Sequence, residues 1–481
     1  MPSPLRMRSA AGRGTLLAAI VASGMAFLDT TVVNVALPHI GADFDAPLAG
    51  LQWTINGYTL TLAAFVLLGG ALGDRFGRRR VFLLGVAWFT VASVLCGLAR
   101  GIEWLIAARA VQGVGAALLV PGSLALIQAS FRHEDRGRAI GAWSGLSGVS
   151  TVLGPFLGGW LIDALSWRWI FFLNVPFAAA VLVASLRWVP ESSSPTGTRF
   201  DIAGAVLAAL GLGGITYALV EAHSGGPVLL AAAGGLVALV ALVLVERRLG
   251  PAAMVPPALF SSGRFTVLNL YTLAVYAALS GMGFFLVVYL QTVAGFSAIA
   301  AGAAILPSSL LLLVGSAPAG ALATRIGPRL PLTVGPAVAA AGLLLLRQVG
   351  PDANFWRDVL PGTVLFGLGL TMLVAPLTAS VLAAVADRFA GVASGVNNAA
   401  ARAAGLLAVA SLPLLVGLSG AEYADPAALT PAYRAALLWC TGLLLTGSVI
   451  AFVGAGSGAD STRPTPVDHE VSDTTRRRHP N

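Results

Sequence analysis

About fourteen apolar runs divide the chain, each long enough to cross a bilayer as an α-helix. A hydrocarbon core of about 30 Å requires about 20 apolar residues per helix. On that rule the spans lie near 15–37, 51–73, 81–99, 103–127, 138–161, 168–189, 202–222, 227–245, 266–290, 299–323, 330–348, 358–383, 391–416 and 432–454. Gly and Pro inside them do not veto a helix, because both are tolerated in membrane spans. Only 10% of the 481 residues are charged and 57% are hydrophobic. A water-facing surface carries about 25–35% charged side chains, so most of this surface must face lipid. The chain reads as an all-α, multi-pass protein of the cell membrane.

The arginines orient the spans. With the N-terminus in the cytoplasm, 22 of the 29 fall in inside segments, five fall outside (Arg100, Arg168, Arg347, Arg357, Arg434), and Arg109 and Arg402 lie within spans. That is a positive-inside pattern with both termini cytoplasmic. It also explains the +8 net charge better than nucleic acid does, so no nucleic-acid partner is expected. The expected order is a cytoplasmic segment 1–14, a six-helix half 15–189, a linker 190–265 with two extra helices, a second six-helix half 266–454, and a disordered cytoplasmic tail 455–481. Arg6, Arg8 and Arg13 ahead of an apolar run mimic a signal peptide. The run 15–37 is too long for a signal core and contains Asp29, so it reads as a retained first helix. Cys96 and Cys440 sit in apolar runs and five His are scattered, which leaves no disulfide framework, metal site or cofactor to expect. The Gly-rich runs 211–214 and 367–369 lie inside spans, without the strand–turn–helix context of a nucleotide loop.

Between the second and third spans stands a charged break, Gly70-Ala71-Leu72-Gly73-Asp74-Arg75-Phe76-Gly77-Arg78-Arg79-Arg80. A faded copy recurs 250 positions later, where Gly320, Arg325, Gly327 and Arg329 return in register and Thr324 replaces Asp74. A repeated hairpin in an apolar chain points to a transporter of two related halves.

The break resembles the loop motif of the major facilitator superfamily, G-x-x-x-D-R-x-G-R-R. Arg109, Gln112, Gly113 and Gly115 resemble its helix-four motif R-x-x-Q-G-x-G. Gly154, Pro155, Gly158 and Gly159 resemble the fifth-helix antiporter motif, with Ser150 at its first Gly. The run Leu28 to Pro38 is similar to the first-helix signature of the fourteen-helix drug:proton antiporters (EmrB/QacA-like). The resemblance covers almost the whole chain. It implies the major facilitator fold with 6 + 2 + 6 helices, and export of small lipophilic molecules against proton entry.

The same residues support that chemistry on physical grounds. Asp29 lies near mid-span, where a charge costs about 2.5–3.5 kcal/mol. Burial disfavours the charged carboxylate, so this group could take a proton from one side and release it to the other. The bland alternative is a structural acid that hydrogen-bonds a neighbouring helix, for example through Thr30 or Asn34. Arg109 stays charged and cannot carry the proton itself. It could tune a nearby acid, or simply fix helix packing, and Gln112 extends the same face. Arg402, Asn397, Asn398 and Asn34 are candidates for the substrate pathway. Gly154-Pro155 should kink the fifth span, and Gly158 and Gly159 should admit a close neighbour. Gly70, Asp74, Arg75, Gly77 and Arg78 are expected to form a conformational latch, Asp74 facing neighbouring elements in the inward-closed state, or else a positive-inside anchor. Trp167, Trp169 and Trp188 are expected in aromatic belts, Glu221 and His223 at the outer interface. Met282, Phe284, Phe285 and Tyr289 would pack or face lipid, or line a greasy cavity.

At about 150 mV, one proton supplies roughly 3.5 kcal/mol, enough for about a 300-fold gradient of a neutral solute. A monovalent cation exchanged for one proton moves no net charge. The span 299–323 has no Asp or Glu, so neutral, zwitterionic or singly charged lipophilic substrates are expected, handled by a monomer. The alternatives are an uptake symporter and a membrane receptor on the same fold.

Overall fold

The computed structural model describes residues 4–193, 201–223, 226–250, 253, 255–386 and 389–454. The expected disordered tail, and Arg199 and Arg388 of the charge pattern, lie outside them. Among the described residues fourteen helices are long and apolar enough to span a membrane. They are α1 (Ala10–Phe44), α2 (Leu48–Phe76), α3 (Arg78–Gly97), α4 (Ile102–Ser130), α5 (Glu134–Ala164), α6 (Trp169–Trp188), α7 (Ile202–Val220), α8 (Val228–Leu249), α9 (Gly263–Thr292), α10 (Ala298–Ile326), α11 (Arg329–Leu346), α12 (Phe355–Ala383), α13 (Gly391–Leu415) and α14 (Pro426–Gly454). No strand is present among the described residues.

Several boundaries differ from the hydropathy reading. α1 starts at Ala10, where the Ser9 hydroxyl accepts from Gly12 N at 3.0 Å. Hydropathy overlooks such a start because a capped first turn needs no apolar residue. α6 breaks at Leu173, and α10 breaks between Ala303 and Leu306.

The helices pair by a repeated rule. In the first half α1 packs on α5 and α6, and α4 on α2 and α3. In the second, α9 packs on α13 and α14, and α12 on α10 and α11. Each pair recurs eight helices later. The repeat reaches single atoms. Gly77 and Gly327 both end their helices at positive φ, 106° and 83°, which a side chain would strain. Arg79 donates to the Leu186 carbonyl at 3.1 Å, and Arg329 donates to that of Phe452 at 2.7 Å. The two sites are 250 positions apart.

The linking helices lie to one side. α7 packs against α8, α2 and α13, so it spans the seam between the halves. α8 is nearly bare, with Leu229 84% exposed, a surface suited to lipid and not to water. Trp169 is exposed and Trp188 half-buried. Trp167 departs from the belt reading. It is buried and donates to Asp43 at 3.1 Å, which satisfies its one polar atom inside the protein. Met282, Phe284, Phe285 and Tyr289 are all buried and pack.

Bonds between the halves collect at one end of the bundle. Gln52 of α2 donates to the carbonyls of Val409 and Ala410 on α13, at 2.7 and 3.2 Å. Gln291 of α9 donates to Val35 O of α1 at 3.0 Å. Asp163 of α5 accepts from Ala298 N and Ile299 N, 3.2 and 2.9 Å, at the start of α10. Tyr423 donates to Ala46 O at 2.8 Å, and burial pushes its hydroxyl above the usual range, so it stays a donor. Among the described residues every side-chain hydrogen bond joining the two six-helix halves is at this end.

Candidate functional site

Asp29 is 2% exposed and Arg109 1%. α1 and α4 bring them together from 80 residues apart. Arg109 Nη1 donates to Asp29 Oδ2 at 2.6 Å, and Gln112 Nε2 donates to Asp29 Oδ1 at 2.8 Å. Residues three apart on a helix share a face, so α4 offers both groups to one carboxylate. The Gln112 Oε1 in turn accepts from Arg109 Nη1 at 2.6 Å and from Cys96 Sγ at 3.5 Å. Arg109 Nε donates to Thr54 O of α2 at 3.1 Å. Its guanidinium lies over the Tyr58 ring at 4.3 Å and nearer the edge of reach of Phe171 at 5.8 Å. Both charges are thus paired and hydrogen-bonded, the condition for holding ions in an apolar interior.

The neighbours of Asp29 on its own helix do not hold it. Thr30 and Thr31 return their hydroxyls to the α1 backbone at Ala26 O and Leu28 O, 2.9 and 3.0 Å. Asn34 donates to Thr30 O at 3.4 Å. Asp29 thus hydrogen-bonds a neighbouring helix, through Arg109 and Gln112 of α4 and not through Thr30 or Asn34.

Chemically, this arrangement tolerates a change of charge. If Asp29 takes a proton, Arg109 keeps Gln112 Oε1, Thr54 O and the Tyr58 face. A desolvated cation–π contact is worth about 2 kcal/mol or more. What is lost is the electrostatic tie between α1 and α4.

The other candidates separate. Asn397 on α13 donates to Thr272 Oγ1 at 2.7 Å and Asn269 Oδ1 at 3.3 Å, both on α9, which knits two helices of the second half. Asn398 faces elsewhere, accepting from Arg402 Nε at 3.1 Å. On α5, side chains at Gly154 and Gly158 would collide with Thr31 and Val32 of α1, and one at Gly159 with the backbone of Ala298 and Ile299. Gly302 meets the Pro155 carbonyl in the same way. So α5 touches α1 with one face and the opposite half with the other.

In the charged break, Gly70 lies against Pro121 of α4 and Arg75 over the Phe76 ring at 5.7 Å. Asp74, near the end of α2, pairs with Arg78, the first residue of α3, at 2.7 Å, and its carboxylate stays 44% exposed. Glu191, after α6, reaches the same start of α3: it accepts from Arg79 N at 3.1 Å and lies 3.7 Å from Arg80. Glu221 accepts from Trp53 Nε1 at 3.1 Å, which ties α7 to α2. Two cavities of about 350 and 340 Å³ lie at the bonded end, one lined by Gln52, Glu221 and His223, the other by Asp45 and Tyr423. Neither reaches Asp29.

Sequence reasoning missed Tyr58, Thr54, Cys96 and the group Gln52, Asp163 and Gln291. The last three carried a usable signal, since each is polar in or beside an apolar span. Tyr58 carried none, because an aromatic in a span looks like packing.

The profile of the Major Facilitator Superfamily matches residues 19–409. The Methylenomycin A resistance protein of Bacillus subtilis (strain 168) is 35% identical over 425 residues, 86% of this chain and 90% of that protein. The Puromycin resistance protein pur8 of Streptomyces alboniger is 35% identical over 469 residues, 94% of this chain and 92% of that one. A solved structure of a bacterial homolog of the human lysosomal transporter Spinster aligns with a TM-score of 0.66 at 18% identity, covering 93% of this chain and 97% of that chain; that likeness is one of fold. The profile match and the two long alignments make this chain a multi-pass transporter of the cell membrane, not an enzyme, and a member of the Major Facilitator Superfamily.

Proposed function

We propose that the protein is a proton-coupled antiporter that exports hydrophobic small molecules, such as drugs, antibiotics or endogenous metabolites, by alternating access. The observation that carries this reading is Asp29, a carboxylate at mid-membrane with both oxygens held by α4. Relatives named for resistance to methylenomycin A and puromycin support the export of antibiotics. The arginine distribution supports cytoplasmic termini. The bonded end then faces outward, and the arrangement is inward-facing. A proton reaching Asp29 releases α1 from α4 electrostatically, and the halves rock about the central path. One chain holds both halves, so a monomer suffices.

The test is a compound panel, beginning with methylenomycin A and puromycin, on inverted vesicles carrying wild type or Asp29→Asn. An acid-inside gradient should drive accumulation by wild type and dissipate as substrate enters. Equal accumulation by Asp29→Asn would sink the assignment. Substrate moving with the proton would make the protein a symporter, and binding without flux would make it a receptor.

A further inference from the structure

In the middle third of its spans the second half holds one full charge, Arg402 on α13, and no Asp or Glu; Arg434 lies nearer the start of α14. Among the described residues no carboxylate lies in ion-pair range of it. Its Nε is turned to Asn398, and its Nη atoms make no described hydrogen bond. Arg402 stands near the middle of α13 and is only half-buried, as a group lining an internal passage would be.

Two hydroxyls share its surroundings, Tyr276 of α9 and Tyr58 of α2. The Tyr58 hydroxyl is buried, with the Thr30 side chain beside it as a partner. A desolvated cation without a counter-charge is costly, and so is a buried donor without an acceptor. Here a guanidinium with spare donors lies within electrostatic reach of the Tyr276 hydroxyl, which makes no described bond of its own. Asp29 does not relieve them, since its oxygens already serve Arg109 and Gln112.

We propose that Arg402, with the hydroxyl of Tyr276 beside it, binds the anionic group of a lipophilic acid, and that such acids are a substrate class of the central path. This rests on the export reading above. A guanidinium matches a carboxylate bidentately. The energetics agree. An anion leaving a negative-inside cell as a proton enters moves two charges down the field per cycle. The Tyr58 ring also carries Arg109 on its face, so the anion site and the Asp29 pair adjoin through one side chain.

The test is equilibrium binding to the full chain in lipid nanodiscs, with empty discs as background. Three fluorescent probes share one pyrene body: 1-pyrenebutyrate, 1-pyrenebutanol and a pyrenebutyl-trimethylammonium. Wild type should prefer the carboxylate over the alcohol about tenfold or more, the worth of one charge-assisted hydrogen bond. In Arg402→Gln the ratio should fall to about one. Arg402→Lys should keep part of it, and Tyr276→Phe should lower it about threefold, as one lost hydroxyl donor would. An undiminished ratio in Arg402→Gln, or tightest binding of the ammonium probe, overturns the proposal. So does displacement of pyrenebutyrate by millimolar chloride, which would make the site one for inorganic anions. Should Arg402→Gln fail to fold, unchanged ratios in both Arg402→Lys and Tyr276→Phe overturn it equally. No proton gradient is applied, so failed export in vesicles would leave this result standing, and lost anion preference would leave the export of neutral compounds standing.

Discussion

The Asp29–Arg109 pair can be weighed by a double-mutant cycle. Asp29→Asn preserves shape but leaves Arg109 charged, with both side chains of the pair at most 2% exposed. Breaking a buried pair by removing one partner costs about 3–5 kcal/mol. Asp29→Asn should therefore lose about that much stability, and so should Arg109→Gln. The double variant removes both charges, and a neutral replacement of a buried pair is often isoenergetic with it. It should return to within about 1 kcal/mol of wild type, giving a coupling free energy of about 3 kcal/mol or more. Unfolding in mixed micelles, followed by tryptophan fluorescence, gives the four stabilities. Transport separates from stability here, because neither Asp29→Asn nor the recovered double variant should drive export with a proton gradient. A coupling energy near zero would refute the reasoning. It would mean that Asp29 is already neutral in the resting protein, so that its protonation could not be the event that frees α1.

Three further perturbations probe the rest of the bundle. Gly302→Val drives a side chain into the Pro155 carbonyl; overpacking of this kind costs about 1–3 kcal/mol, and it should lengthen the distance between spin labels at Asp45→Cys and Ser419→Cys. Tyr433→Phe removes the 2.8 Å bond to Leu346 O from a ring stacked on Tyr289 at 3.9 Å; a stability loss of about 1 kcal/mol is expected in the same unfolding assay, and no loss would mean that water takes over the carbonyl. Asp74→Asn should leave stability within about 0.5 kcal/mol, because its carboxylate is 44% exposed and its partner lies only four residues away, yet it should slow export if Asp74 latches only when the opposite end opens. Unchanged turnover would leave it an orientation anchor.

The spans were legible because each one demands about 20 apolar residues whatever its neighbours are. The breaks at Leu173 and before Leu306 were not, since interruptions in a membrane helix are decided by what packs beside them. Asp29, Arg109 and Gln112 each stood out as polar groups in apolar runs. Nothing in the chain said that they meet, and Thr30 and Asn34 were nearer in sequence but spent on their own backbone. Asn397 and Asn398 looked like one patch, but adjacent residues on a helix point in different directions, so one faces α9 and the other Arg402. Trp167 looked like its neighbour Trp169, and only the position of Asp43 tells them apart. The break at Asp74 was legible as a turn, while its tie to Glu191 across more than a hundred residues was not.

The four bonded sites at the closed end share a construction. Gln52, Gln291, Asp163 and Tyr423 each reach a main-chain group of the other half, two of the side chains coming from each half. A main-chain partner is the same whatever residue carries it. Val35, Ala46, Ala298, Val409 and Ala410 are therefore free to drift to any side chain that fits, while their reaching partners are not. Half of this closure is invisible to mutation. A lineage under drug selection could remodel the walls of its path close to the gate without having to reinvent the gate.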